Sequence, residues 1–245
     1  MKPLERKNYG SIPHLSNSKL GEGDFYVEKG MEILNLYSGI GGNRKLWGDE
    51  HNITSVEYRE DIANVYRHYF PNDKVVVADA HQYLLDHFSE FDFIWASPPC
   101  QTHSRARMWG WKNDDRVEKK YPDMKLYQEI IFLENYFEGL WIVENVKPYY
   151  EPLIRPRIEL GRHLFWANFN ITPTKIKEAD INRGNRKEYS ELHGLDLTDF
   201  KIETRKDQIY RNCVHPETGL HVLNCAVGKN LLKNIYQQSL FDSTD

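Results

Sequence analysis

Two side chains in this sequence stand where bond-making chemistry would need them. Cys100 follows two prolines in Ser97-Pro98-Pro99-Cys100-Gln101, and Glu144 lies in Trp141-Ile142-Val143-Glu144-Asn145-Val146. Two prolines fix the backbone and deny it a helix, so the thiol is carried on a stiff loop. That setting suits a nucleophile better than a core filler. A carboxyl at the end of a hydrophobic strand is set for proton donation, because burial raises its pKa. Three further signals are of a kind that holds a ligand. The glycines of Ser38-Gly39-Ile40-Gly41-Gly42 allow a tight turn and close backbone approach. Glu57, roughly 20 positions on, is where a ribose hydroxyl pair is held in such turns. Asp79, another strand-end acid, is placed to accept from an adenine amino group. Each residue also has a plainer reading: a simple strand–helix turn uses the same glycines, strand-end acids cap helices, and Glu144 alone reads as a solvated acid. In order, on successive strands, the glycine turn and the two acids point to an adenosine-bearing cofactor.

These residues need elements to position them. Glu32–Tyr37, Thr54–Tyr58, Lys74–Asp79, Phe91–Ala96 and Leu140–Val143 read as five strands. Asn43–Glu50, Glu60–Tyr69, Gln82–Phe88 and Met124–Phe137 read as helices between them. Such alternation predicts an α/β fold with a mostly parallel sheet covered on both faces. In these sheets ligands bind beyond the carboxyl ends of the strands, where all of the residues above fall. His163–Phe169 is a candidate sixth strand and Ala226–Gln238 a closing helix. The expected organisation is an irregular arm over residues 1–30, a catalytic and cofactor-binding core over 31–169, a short polar region with scattered apolar residues over 170–222, and a return to the core over 223–245.

Composition narrows the classes. The chain has 245 residues, 40% hydrophobic and 28% charged, which fits one large globular domain and argues against disorder or repeats. The apolar runs are too short to span a membrane and the start lacks the apolar core of a signal peptide, so a cytoplasmic protein is expected. Three cysteines with no Cys-x-x-Cys pair indicate neither a disulfide framework nor a zinc site, and no metal is expected. The net charge of −4 does not advertise a nucleic-acid partner. The segment from Gln101 to Lys125, however, holds seven basic residues against four acidic ones, together with Trp109 and Trp111. Arg105, Arg107 and Lys112 are its candidates for phosphate contact.

Leu36-Tyr37-Ser38-Gly39-Ile40-Gly41-Gly42, Pro99-Cys100-Gln101 with Ser104, and Glu144-Asn145-Val146 resemble three motifs of the DNA cytosine-C5 methyltransferases, in family order. Asn224-Cys225-Ala226-Val227-Gly228-Lys229-Asn230-Leu231-Leu232 looks like the family's closing cofactor motif. The resemblance implies a Rossmann-like methyltransferase fold using S-adenosylmethionine, with residues 170–222 as a short target-recognition region. It implies Tyr37–Gly42, Glu57, Tyr58, Asp79, Ala80 and Pro98 as cofactor contacts. Cys100 would attack C6 of a cytosine, Glu144 would contact N3, and Asn145 and Gln101 would support the loops. Ser104, Arg105 and Arg107 would touch DNA, and the base would be flipped out of the duplex. The family's arginine pair has no clear counterpart. Arg155, Arg157 and Arg162 are candidates, Arg162 being preferred, and His163-Leu164 replaces part of the pattern. The implied substrate is double-stranded DNA, with a cognate restriction endonuclease as a possible companion and a monomer as the expected state. Rival readings are an RNA cytosine-C5 methyltransferase, thymidylate-synthase-like chemistry (disfavoured because Gln101 follows the cysteine), and a silent DNA-binding partner with the same fold.

Overall fold

The computed structural model describes residues 30–113, 120–176 and 186–228. Seven strands, β1 (Glu32–Leu36), β2 (Asn52–Glu57), β3 (Lys74–Val77), β4 (Phe93–Ala96), β5 (Leu140–Val146), β6 (Ile158–Leu160) and β7 (His163–Ala167), form one sheet in the order β3-β2-β1-β4-β5-β7-β6. The first five are parallel, and β7 pairs antiparallel with both β5 and β6. Helix α1 (Glu60–Tyr69) links β2 to β3, α2 (Ala80–His87) links β3 to β4, and α3 (Arg105–Asn113) and α4 (Lys125–Tyr136) lie between β4 and β5. Three more helices follow the sheet: α5 (Arg186–His193), α6 (Lys206–Asn212) and α7 (Pro216–Ala226). The expected mostly parallel, Rossmann-like sheet is what the chain forms.

The strands are apolar on both faces because both are covered. Leu34, Leu36, Ile94, Ala96, Trp141 and Val143 pack under α2 and α4. Their neighbours Ile33, Phe93, Trp95 and Ile142 point the other way, against Trp47, Val214, Val222 and Leu223. A third cluster joins Ile40 and the α1 residues Ile62, Val65 and Tyr66 to Tyr189, Leu195, Ile209 and Tyr210. The segment 186–228 thus packs on α1 and on the sheet face opposite α2 and α4. Its apolar residues are spread over three short helices, so no long periodic stretch announced them.

Residues 43–50, expected as a helix, form turns instead. Lys45 N–H donates to Gly42 O and Trp47 N–H to Arg44 O, three residues back. Side-chain anchoring overrides the helical pattern here. Asn43 exchanges hydrogen bonds with the fully buried Asn35 of β1. Arg44 is buried on Asp73, with Nε to Oδ2 at 2.9 Å and Nη2 to Oδ1 at 3.0 Å, and Tyr66 donates to the same carboxylate. Strand β6 was not anticipated, being three residues long. The closing helix expected to start at Ala226 does not do so, since α7 ends there and Val227–Gly228 form a turn; residues 229–238, and 1–29 of the arm, lie outside the described residues.

The glycine turn is wedged between α1 and α7. A Cβ on Gly219 of α7 would lie 2.1 Å from Asn43 O, a contact with backbone that has no room to yield. Gly219→Ala is therefore expected to lower stability by about 1–3 kcal/mol, the usual range for overpacking, measurable as a fall in the urea unfolding midpoint. An unchanged midpoint would mean that α7 does not seat on the turn.

Candidate active site

β1 to β4 end nearly level, while β5 runs on from Val143 to Val146 and pairs there with β7, so Glu144 lies inside the strand and not at its end as expected. Leu36 is paired with Val56 and with Ala96, Ala96 with Val143, and Glu57 with Val77. The residues that follow (Tyr37, Tyr58, Ser97, Glu144) therefore emerge on one rim and enclose a cleft of about 470 Å³. That volume suits a small-molecule ligand.

At one end of the cleft lies the glycine turn. Gly39 has φ +54°, and a Cβ there would meet nothing within 4 Å, so its open side faces ligand space. Gly41, at φ +82°, is different, because the rings of Phe70 and Tyr66 fill the place of its Cβ. Gly41 tightens the turn and does not line the cleft. Glu57 accepts from Gly39 N–H through Oε2 and from Arg59 N–H through Oε1, each at 3.0 Å. Burial raises its pKa while these N–H groups oppose the rise. A carboxylate has about four lone-pair positions, so acceptors remain for a hydroxyl pair. Tyr58, beside it, lines the cleft with 74% of its surface exposed.

At the other end stand Cys100 and Glu144. Asn145 Nδ2 donates to Pro98 O at 2.9 Å, tying the end of β5 to the proline loop. The loop closes on itself through His103 and Ser104 N–H groups donating to Cys100 O. It is further held by Tyr149 N–H on His103 O and by Asp123 N–H on Thr102 Oγ1. Burial, then the Glu144 charge, pushes the Cys100 thiol up to about 11, with Arg162 pulling the other way. Glu144 is 5% exposed, and its Oε1 lies 3.6 Å from His163 Nε2.

Of the residues expected at the site, Tyr37, Ser38, Gly39, Ile40, Gly42, Glu57, Tyr58, Pro98, Cys100, Gln101, Glu144 and Asn145 line this one cleft. Several do not. Asp79 caps α2, accepting from Gln82 N–H at 3.0 Å, and faces Lys125 at 3.6 Å. Ala80 is buried in the core under α2. Ser104 bridges to Pro148, and Arg105 Nε donates to Pro148 O. Arg162 donates to the carbonyls of Arg211 and Cys213, its charge reaching Cys100 from behind. Arg157 donates to Asn170 at the surface. The side chain of Arg107 lies outside the described residues. Asn224 sits on α7 away from the cleft, and Lys229–Leu232 lie outside the described residues.

Sequence reasoning missed the opposite wall. Thr204, Gln208, Ile209, Asn212 and Cys213 line the cleft from α6 and its flanks. Their only signal was the four-residue spacing of Gln208 and Asn212, which puts two amides on one helix face.

Residues 31–151, just under half of the chain, match the family described as C-5 cytosine-specific DNA methylase. That segment is similar to the C-5 cytosine-specific DNA methylases. Relatives of the segment include the tRNA (cytosine(38)-C(5))-methyltransferase of Rattus norvegicus, 27% identical over 123 residues, which are 48% of this chain and 30% of that protein. The Spodoptera frugiperda protein of the same name is 32% identical over 92 residues, 35% of this chain and 28% of that one. A solved structure of a Spodoptera frugiperda DNMT2 mutant covers 47% of this chain and 35% of its own, at 28% identity and a TM-score of 0.35. This chain thus aligns with under a third of the length of these curated relatives. The methylase likeness implies S-adenosylmethionine as cofactor, and the residues present fit it. The open side of Gly39, the acceptor lone pairs of Glu57 and the exposed ring of Tyr58 form a cradle with room for an adenosine.

Glu57→Ala leaves the half-buried Gly39 and Arg59 N–H groups without their acceptor and removes the carboxylate from the cradle. It is expected to weaken S-adenosylmethionine binding by about 1–3 kcal/mol by calorimetry, and unchanged affinity would return Glu57 to a purely structural role. A second expectation concerns pH. Burial, helped by His215 and Arg162, lowers His193 to about 4 against an ordinary 6.5. The unfolded chain therefore binds the proton more tightly, so stability is full above pH 6.5 and falls as pH drops from 6.5 towards 4. His193→Asn is expected to flatten that fall in urea unfolding, and an undiminished pH dependence would assign it to other groups.

Proposed function

We propose that this protein transfers a methyl group from S-adenosylmethionine to C5 of a cytosine in a nucleic acid, with duplex DNA as the first substrate to test. The observation that carries the reading is the convergence of Cys100 and Glu144 on the cleft that also holds the Gly39–Glu57 cradle. Cytosine C5 is a poor nucleophile. Loss of the Cys100 thiol proton to solvent and addition of the sulfur to C6 break the C5–C6 π bond; with N3 hydrogen-bonded or protonated by the Glu144 carboxyl, the electron pair is held as an enamine and C5 becomes nucleophilic. Once C5 is methylated, loss of its proton releases the sulfur from C6 and restores the ring. S-adenosylmethionine, bound over Gly39 and Glu57, supplies the methyl as a sulfonium substituent. Asn145 holds the proline loop so that the thiol and the carboxyl keep their spacing. A base stacked in a duplex cannot reach this buried pair and must be extruded.

RNA is the second reading. The family name specifies DNA, whereas the relatives carry names that specify tRNA. Arg105 and Lys112 of α3 are the basic groups offered to a phosphate backbone, and their charge would serve DNA and RNA alike. A companion endonuclease belongs to the DNA reading alone, and a monomer is the expected state under either.

The deciding experiment incubates the protein with methyl-labelled S-adenosylmethionine and, separately, duplex DNA and total tRNA. Label at C5 of cytosine in DNA supports the first reading, in tRNA the second, and in neither sinks both. Cys100→Ser is expected to abolish transfer and leave cofactor binding within about twofold. Substantial turnover by that variant would remove Cys100 as nucleophile. DNA carrying 5-fluorocytosine should trap a denaturant-stable adduct, since its C5 holds no removable proton.

A further inference from the structure

Glu144 can serve N3 only if its carboxyl is held at the Cys100 end of the cleft. The antiparallel register of β5 and β7 supplies the holder. His163 is paired with Val146 and Glu144 with Phe165, which makes His163 and Glu144 diagonal neighbours on one sheet face. Their side chains are 3% and 7% exposed, His163 Nε2 lies 3.6 Å from Glu144 Oε1, and both residues line the cleft with Cys100. Arg162, which the family resemblance favoured for the base, instead has its guanidinium seated on the carbonyls of Arg211 and Cys213. Burial, reinforced by the Arg162 charge, keeps the imidazole neutral. A neutral imidazole has one N–H, and the nitrogen facing a carboxylate is the one that carries it.

We propose that His163 is the positioning residue for Glu144, its Nε2–H holding the carboxyl beside Cys100. A neutral imidazole N–H fixes the direction of the carboxyl without adding a second cation beside Cys100. The inference rests on the reading of Cys100 and Glu144 as the reacting pair, and its test is chosen to work whether or not methyl transfer is found.

The test reads Cys100 alone, by peptide-resolved iodoacetamide alkylation of the full-length protein at pH 8.5. The charges facing the thiol are Glu144, which raises its pKa, and Arg162, which lowers it. If His163 holds Glu144 in place, E144Q and H163L both remove the raising influence and alkylate faster. About threefold is expected per unit of pKa, since a tenfold gain in thiolate is partly offset by lower nucleophilicity. The double variant should then be no faster than E144Q. H163Q, which offers an N–H at similar reach, should stay at the parent rate. An H163L rate equal to the parent's overturns the proposal, as does an additive double variant, which would mean that the leucine merely opened the cleft. H163Q as fast as H163L overturns it too. Where the parent transfers methyl, H163L is expected to lower kcat by about 10- to 100-fold, the scale for a misplaced reacting group, with the KM for cofactor unchanged and H163Q recovering most of the loss. Failure of the proposed function appears separately, as a parent without transfer whose alkylation pattern is intact.

Discussion

The shared register of β1, β2, β4 and β5 is the constraint on which this site depends. Leu36, Val56, Ala96 and Val143 are held in one row by ladder hydrogen bonds, and the ligand-facing residues are the next ones along. A slip of one residue in β5 would exchange the faces of Val143 and Glu144. Glu144 would then enter the apolar layer under α2 and α4, and Trp141 and Val143 would leave it. Each large apolar side chain moved out of such a layer costs about 1.5–3 kcal/mol, and a carboxylate moved in costs several more. The hydrophobic core therefore fixes the spacing of thiol and carboxyl more firmly than any contact between them.

That spacing sets opposing charges close together at little exposure. The Cys100 thiol is protonated in the resting cleft, because burial and Glu144 outweigh the pull of Arg162. Cys213, on the far wall, is pushed up to about 12 by the same burial. Neutral thiols and a neutral imidazole leave Glu144 and Arg162 as the charges in question, and Arg162 is tied to backbone carbonyls. The fully buried Arg44–Asp73 pair serves the opposite end, locking the glycine turn to the loop before β3.

What the sequence made legible follows from how local each signal was. Parallel strands buried on both faces read directly as short apolar runs, and α1 matches its expected bounds because an amphipathic pattern is complete within Glu60–Tyr69. The turn glycines, Glu57 and Cys100 were legible for the same reason, since each lies at or just past the end of its own strand; Glu144 was found by its motif, although β5 runs on past it to Val146. Residues 43–50 were misread because the Asn43–Asn35 and Arg44–Asp73 contacts come from other strands and loops. Asp79 shows the limit from the other side: an acid at a strand end has the same local signature whether it faces a ligand or caps the next helix, and here it caps α2. His163 carried no periodic signal at all. Only the pairing of β7 with β5, two strands separated by the β6 excursion, puts it beside Glu144.

The wall supplied by α6 ties these observations together. Arg59, which follows the Glu57–Tyr58 strand end, donates to Thr204 at the start of that wall, and Arg162, which precedes β7, donates to Arg211 and Cys213 at its end. Gly42 sits directly under Val214 O and the Cys213 side chain, with no space for a Cβ between them. One seven-residue helix is therefore pinned at three points: to the cofactor strand, to the glycine turn, and to the strand that carries His163. Displacing it would loosen both ends of the cleft at once. The cradle at Gly39 and the thiol–carboxyl pair at Cys100 and Glu144 consequently behave as one rigid site, in which a group seated over the turn and a base seated over the thiol share a single wall.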